Sequence, residues 1–118
     1  MSGIAGAYNI IADQGATFSR GMVKKDNQKR VVPLTGYTAR MQVRSEIESS
    51  TEVLDLTTEN DGIVIDANRG LITLQASAAT MSSIPAGKYV YDLELISNLG
   101  VVERLVMGTF TVRAEVTR

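Results

Sequence analysis

The chain has 118 residues, with 12 Lys and Arg set against 13 Asp and Glu, and no His, Cys or Trp. Without Cys there is no disulfide, thiolate nucleophile or Cys-ligated metal. Without His the commonest general base and transition-metal ligand are missing, and a Ser-His-Asp triad cannot be assembled from this chain. The formal net charge of −1 argues against a dedicated nucleic-acid or membrane-surface binder, and the length suits one domain spanning 1–118.

The start, Met1-Ser2-Gly3-Ile4-Ala5-Gly6, has no basic region and no long apolar run, so a signal peptide is not expected. Apolar stretches stay far below the ~20 residues of a membrane helix. The expectation is a soluble product made in the cytoplasm. Residues 1–14, apolar and Gly-containing, suit either an arm laid on a neighbour or the first strand of the fold. Short strands are expected at Tyr8–Ala12 and Ala16–Arg20, with Gln14-Gly15 between them. A further pair, Met22–Lys24 and Arg30–Val32, would flank the polar loop Asp26-Asn27-Gln28, with Pro33 at an edge or strand end.

Tyr37 to Arg44 is the clearest strand: Tyr37, Ala39, Met41 and Val43 share one face, and Thr38, Arg40, Gln42 and Arg44 the other. Asn60-Asp61-Gly62 marks a turn. Asp66-Ala67-Asn68-Arg69-Gly70 marks another, between strands Ile63–Ile65 and Leu71–Leu74. Ser77 to Ile84 carries a weak helical period that Pro85 and Gly87 stop, which predicts a short helix near 77–83 crossing between sheets. Lys88 to Ser97 alternates again, with Tyr89, Tyr91, Leu93 and Leu95 inward and Lys88, Asp92 and Glu94 outward. Asn98-Leu99-Gly100 then turns the chain into Val101–Val112, whose mixed faces suit a central strand or a second contact surface. Seven to nine short strands with frequent turns predict an all-β, antiparallel sandwich.

Charge is segregated along the chain. Arg20, Lys24, Lys25, Lys29, Arg30, Arg40 and Arg44 gather early, opposed only by Asp26. Glu46, Glu48, Glu52, Asp55, Glu59, Asp61 and Asp66 follow with no basic residue among them. Lys24, Lys25, Lys29, Arg30, Glu46, Glu48 and Glu52 are therefore the candidate protein-interface residues, a two-signed surface that lets copies meet head to tail. The bland alternative is a pair of solvated loops. A calcium loop over Asp55–Asp66 fails on spacing: with Gly62 at the sharp turn, the closing acid would be Asn68. Asp92 and Glu94 suit cross-strand partners for Lys or Arg better than the paired acids of a hydrolase. Neither a phosphate loop nor a dinucleotide fingerprint is present, and no cofactor is expected.

Several phrases occur together: Gln14–Phe18; Leu34–Arg44; Asp61–Asp66 with Gly70–Leu74; Ile84–Leu95; and Gly108–Val112. In this order the chain resembles small proteins of tailed-bacteriophage tail and baseplate gene clusters, and is similar to the immunoglobulin-like domain that begins some baseplate upper proteins. The resemblance implies an immunoglobulin-like sandwich and a non-enzymatic role, a virion component that holds tail or baseplate parts together. Joined with the segregated charge, it leads to the expectation of many copies docked on other tail or baseplate proteins by edge-strand or face-to-face packing, with the basic Lys24–Arg30 loop steering partners. It supplies no catalytic residues. The chain stops soon after its last strand, without the extension that longer relatives carry, which favours an adaptor or decorating subunit. A carbohydrate- or receptor-binding module is the alternative; it predicts exposed aromatic and amide side chains clustered at one end.

Overall fold

Strand pairing follows the alternation almost wherever that alternation is regular. The computed structural model describes residues 6–117. In order, its elements are β1 (Gly6–Ala7), β2 (Ile10–Asp13), β3 (Phe18–Val23), β4 (Thr38–Arg44), β5 (Glu52–Thr57), β6 (Ile63–Asp66), β7 (Leu71–Ala76), α1 (Ala78–Ser82), β8 (Gly87–Ile96) and β9 (Val102–Arg113). Strands β5, β4, β8 and β9 form one sheet, which β1 and β2 complete by pairing with β9 in parallel. The second sheet has the order β3-β7-β6.

This is the strand order of an immunoglobulin-like sandwich. Its first strand lies beside its last, its second, fourth-from-last and third-from-last strands face them from the other sheet, and an extra hairpin strand, β5, widens the larger sheet. A tyrosine corner accompanies it: Tyr89, near the start of β8, donates its hydroxyl to the carbonyl of Pro85. The helix α1 carries the chain from β7 in one sheet to β8 in the other, as its place between strands predicted. The Ser77 hydroxyl caps it by accepting from the Thr80 N–H at 3.1 Å, and its single buried side chain, Met81, plugs that end of the core.

Both sheets supply the core. Ala39, Met41, Val43, Leu93, Leu95 and Phe110 face Phe18, Ile63, Ile72 and Leu74, all 5% exposed or less. The inward faces expected for β4 and β8 are thus the buried ones. At the centre Phe18 meets Phe110 edge to face across the sheets, centroids 5.5 Å apart, and Tyr91 meets Phe110 at 6.3 Å.

Several sequence expectations change. Met22 and Val23 complete β3 instead of starting a strand, and Val31 makes only an isolated bridge with Lys25. The strand β5 was not expected; its Leu54 and Leu56 are buried while Asp55 points out. Of residues 1–14, Gly6–Ala7 and Ile10–Asp13 form the interrupted first strand of the sandwich, and 1–5 lie outside the described residues. The long strand β9 is central, with β8 on one side and β1 and β2 on the other. Its faces look mixed because a bulge changes its phase: Leu93 pairs with Val106 but Glu94 with Arg104, leaving Leu105 unpaired.

The first strand breaks between β1 and β2, where the Tyr8 carbonyl turns over Gly108. A Cβ on Gly108 would stand 2.4 Å from that oxygen. The Tyr91 hydroxyl donates to the same carbonyl at 2.6 Å, and the Asn9 side chain accepts from the Thr109 N–H at 3.1 Å. Gly108→Ala is therefore expected to destabilise the fold by about 1–3 kcal/mol, because the clash is with backbone. The check is a lowered urea midpoint at unchanged slope.

Burial, with the neighbouring Tyr8 adding to it, pushes the Tyr91 phenol up to about 12 from an ordinary 10.0. The folded chain favours the neutral phenol, so this contribution is complete below pH 10.0 and is lost as pH rises through about 12. Tyr91→Phe is expected to lose about 1 kcal/mol at neutral pH, along with the hydrogen bond to Tyr8. It should also decline less steeply than the parent at alkaline pH. Denaturation midpoints of the two proteins across that range decide the point, and parallel curves would contradict it.

Candidate functional site

The basic loop is a small hairpin organised by one carboxylate. Asp26 Oδ1 accepts from the backbone N–H groups of Gln28 and Arg30 at 2.8 and 2.9 Å, and Oδ2 accepts from Arg30 Nε at 3.1 Å. Lys29 takes the left-handed conformation at the turn, φ 64°. The Arg30 N–H, with help from Gln28 and the Arg30 side chain and against desolvation, holds the Asp26 carboxyl below its ordinary range. The loop packs on the β6–β7 connection, where the Lys24 N–H donates to the Gly70 carbonyl at 2.9 Å. Gly70 is left-handed there, and a side chain would strike Val31 and the Val32 carbonyl at 2.8 Å.

Lys24 does not point outward with its neighbours. Its ammonium meets Glu103 at 3.2 Å, its side chain only 17% exposed. Glu103 lies opposite the buried Leu95, so it faces inward and the pair closes that mouth of the sandwich. Lys25, Lys29 and Arg30 are exposed. Arg30 is occupied by Asp26, whereas Lys25 and Lys29 make no ion pair among the described residues.

The acidic candidates lie on the β4–β5 connection and the start of β5. Because β4 joins the two charged loops, they leave opposite ends of that strand. Glu46 and Glu48 are exposed without an ion-pair partner among the described residues, and Ile47 between them is 74% exposed. Glu52 sits 3.9 Å from Arg44, whose guanidinium also donates to the Ser49 carbonyl at 2.7 Å and to Gln42 at 2.6 Å. Further on, Asn60 Oδ1 accepts from the Thr57 and Gly62 N–H groups at 2.9 and 2.8 Å, so this Asn-Asp-Gly stretch is a turn built on its amide.

The outward face of the larger sheet carries a groove of about 610 Å³ whose lining includes Arg40, Ile47, Val90, Asp92, Glu94, Arg104 and Met107. The two acids are bound to arginines on neighbouring strands: Arg40 to Glu94 at 2.7 Å and Arg104 to Asp92 at 3.3 Å. These are the cross-strand partners expected for them. At the other edge Arg113 forks onto Asp13 at 2.7 and 3.1 Å, its guanidinium hydrogen bond holding that exposed carboxyl below its ordinary range. Phe18, Tyr89, Tyr91 and Phe110 are buried, Tyr37 is half-buried and Tyr8 is exposed at 39%.

Sequence reasoning missed the exposed apolar residues at the loops. Leu99 is 85% exposed and Val101 64%, at the tip of the β8–β9 hairpin. Their signal was available, since apolar residues in a two-strand turn have no core to enter.

No family model and no curated protein matches the chain. It is similar to solved structures at low identity. CopC from Methylosinus trichosporium OB3b is 14% identical over 86% of this chain and 98% of that one, at TM-score 0.42. Murine CRIg is 12% identical over 91% and 92%, at 0.44. A structure from work on cell-adhesive interactions of VGSC beta subunits is 12% identical over 99% and 98%, at 0.47. The immunoglobulin-like assignment rests on the strand order.

Asp26→Ala should leave the sandwich folded but release the basic loop. The expected outcome is faster hydrogen exchange at the Gln28 and Arg30 amides, with core amides unchanged. In the parent, the same release is expected in acid. A carboxyl lowered by folding contributes above its ordinary 3.8 and loses that contribution as pH falls through its lowered value. Unchanged exchange at both amides would show that Asp26 does not hold the loop.

Proposed function

We propose that this protein is a non-enzymatic structural component of a tailed-bacteriophage virion, an adaptor or decorating subunit of the tail or baseplate that docks in several copies on other phage proteins. The observation that carries the reading is where the phage-like phrases fall in the fold. Gln14–Phe18 forms the turn into β3, and Gln14 itself donates to the Ile84 carbonyl at 3.0 Å. Leu34–Arg44 leads into and makes β4. Asp61–Asp66 and Gly70–Leu74 make the β6–β7 hairpin, Ile84–Leu95 the tyrosine corner and β8, and Gly108–Val112 the crossing point on β9. The phrases on which the resemblance rests are therefore spread over a whole domain and not confined to one hairpin.

The surface agrees with a protein-docking role. Asp92 and Glu94 on the outer face are spent on arginines, and the exposed features include charged loops and apolar tips, which a protein partner can cover. No step of chemistry is needed to explain any of these residues.

The test is quantitative mass spectrometry of particles purified from a lysate of the strain that carries this reading frame, compared with the soluble fraction. The expected result is this chain in the particles, in several copies per particle, fractionating with detached tails and not with heads. Recovery only in the soluble fraction would end the virion reading. Saturable glycan binding by the isolated monomer, together with absence from particles, would favour a receptor-binding module instead.

A further inference from the structure

The two ends of the sandwich complement each other. Thr38 pairs with Ile96, and Ile96 with Val102, so the β8–β9 hairpin tip lies at the starting end of β4. The basic loop is at the same end, since Lys24 reaches Glu103 there. The β4–β5 loop leaves the far end, where Arg44 pairs with Val90 and Glu52, roughly 20 Å away at strand rise. The first end presents Leu99 and Val101, 85% and 64% exposed, with Lys25 and Lys29 in the adjoining loop. The second presents Ile47, 74% exposed, between Glu46 and Glu48, at the rim of the groove that contains Val90 and Met107. Most other charges on the larger sheet and the basic loop have an internal partner; these four have none among the described residues.

We propose that copies of this chain join head to tail, with the Leu99–Val101 tip of one packing on Ile47 and the adjacent groove of the next. Lys25 and Lys29 then face Glu46 and Glu48. This deepens the several-copies part of the proposed function and rests on that reading for its setting in a particle. The occupant is a second copy because each end supplies what the other lacks, an apolar tip for an apolar rim and two unpaired cations for two unpaired anions. A net charge of −1 puts little long-range repulsion in the way. Like ends cannot meet as well, since that would set Lys25 and Lys29 against themselves. The contact is therefore heterologous, and repetition of it makes a ring or a filament, not a closed pair.

The experiment is sedimentation equilibrium of the full chain over a concentration and salt series, with circular dichroism on every variant. The parent should form oligomers that grow with concentration and loosen as salt rises. Leu99→Asp with Val101→Asp, and separately Ile47→Asp, should each weaken self-association about tenfold or more; all three positions are exposed, so folding should be kept. Each variant still has one intact end. Mixing them should give a species that stops at two copies, twice the 12.7 kDa of the monomer.

A second pair covers the case in which a tip variant misfolds. Lys25→Glu with Lys29→Glu, and Glu46→Lys with Glu48→Lys, should each lose association, and mixing the two charge-reversed proteins should restore it, because the acidic end of one then meets the basic end of the other and their unaltered ends also remain complementary. A monomeric parent at every condition overturns the proposal. So do variants that associate like the parent, or a mixture that forms no pair. An Ile47→Asp protein that self-associates normally while the tip variant does not would point to tip-to-tip contact and also overturn it. If the chain is found in virions but is monomeric, only this inference fails. If it self-associates but is absent from particles, the virion reading fails and the interface stands.

Discussion

Two sheets without a disulfide between them must be held in register by packing, and here the work falls on Phe110. Its ring meets Phe18 from the opposite sheet and Tyr91 from the neighbouring strand, both edge to face. Tyr91 then extends the contact to the chain's first strand, because its hydroxyl reaches the Tyr8 carbonyl over Gly108. A side chain at 108 would keep that carbonyl away, and a residue without a hydroxyl at 91 would leave it without this donor. The first strand, the last strand and the core centre are thus fixed at one place. In a cysteine-free chain, the Phe18–Phe110 contact stands where a covalent link between sheets would otherwise serve, and Tyr91 ties the first strand to it within the larger sheet.

From that centre the two mouths of the sandwich close differently. At one, Lys24 and Glu103 make an ion pair between sheets. At the other, the Gln14 side chain donates to the Ile84 carbonyl and accepts from the Glu115 N–H, tying the first turn to the helix corner and the C-terminal segment. Closure consumes charges and amides that the sequence shows only as members of a run. Lys24 is the instructive case. It stands beside Lys25 in the chain, yet one closes the core and the other remains in solvent.

What was legible in the sequence is what depends on neighbours one or two residues away. The alternation of β4 and β8, the Asp66–Gly70 turn and the Ser77 helix could all be read locally. What was hidden depends on partners far along the chain or on a break in phase. The strand β5 has only Leu54 and Leu56 fully buried, and the acids around them masked the period. In β9 the unpaired Leu105 shifts the alternation by one, so its two halves point their apolar residues to apparently opposite faces. The acidic and basic runs were visible. Which members are spent was not, because Arg40 finds Glu94 54 positions away and Lys24 finds Glu103 79 positions away.

The edges and faces of the sheets leave little for a partner to seize, and this bears on how the protein would assemble. The β5 edge carries Glu52 and Asp55 outward, and β6 is only four residues long and ends in an acid. Arg20 bridges the β3 edge to the first strand through the Ile11 carbonyl and the Tyr8 hydroxyl. Short, charged or bridged edges are those least able to recruit a further strand. On the outer face Asp92 and Glu94 are already matched to arginines, so a second charged surface would have to break those pairs to make new ones. The sequence led us to expect edge-strand or face-to-face packing, and these devices work against both. They leave the ends, where Lys25, Lys29, Glu46 and Glu48 have no competing partner and where Leu99, Val101 and Ile47 gain from being covered. A rigid sandwich most of whose side charges are paired and whose opposite ends are complementary favours growth along one axis.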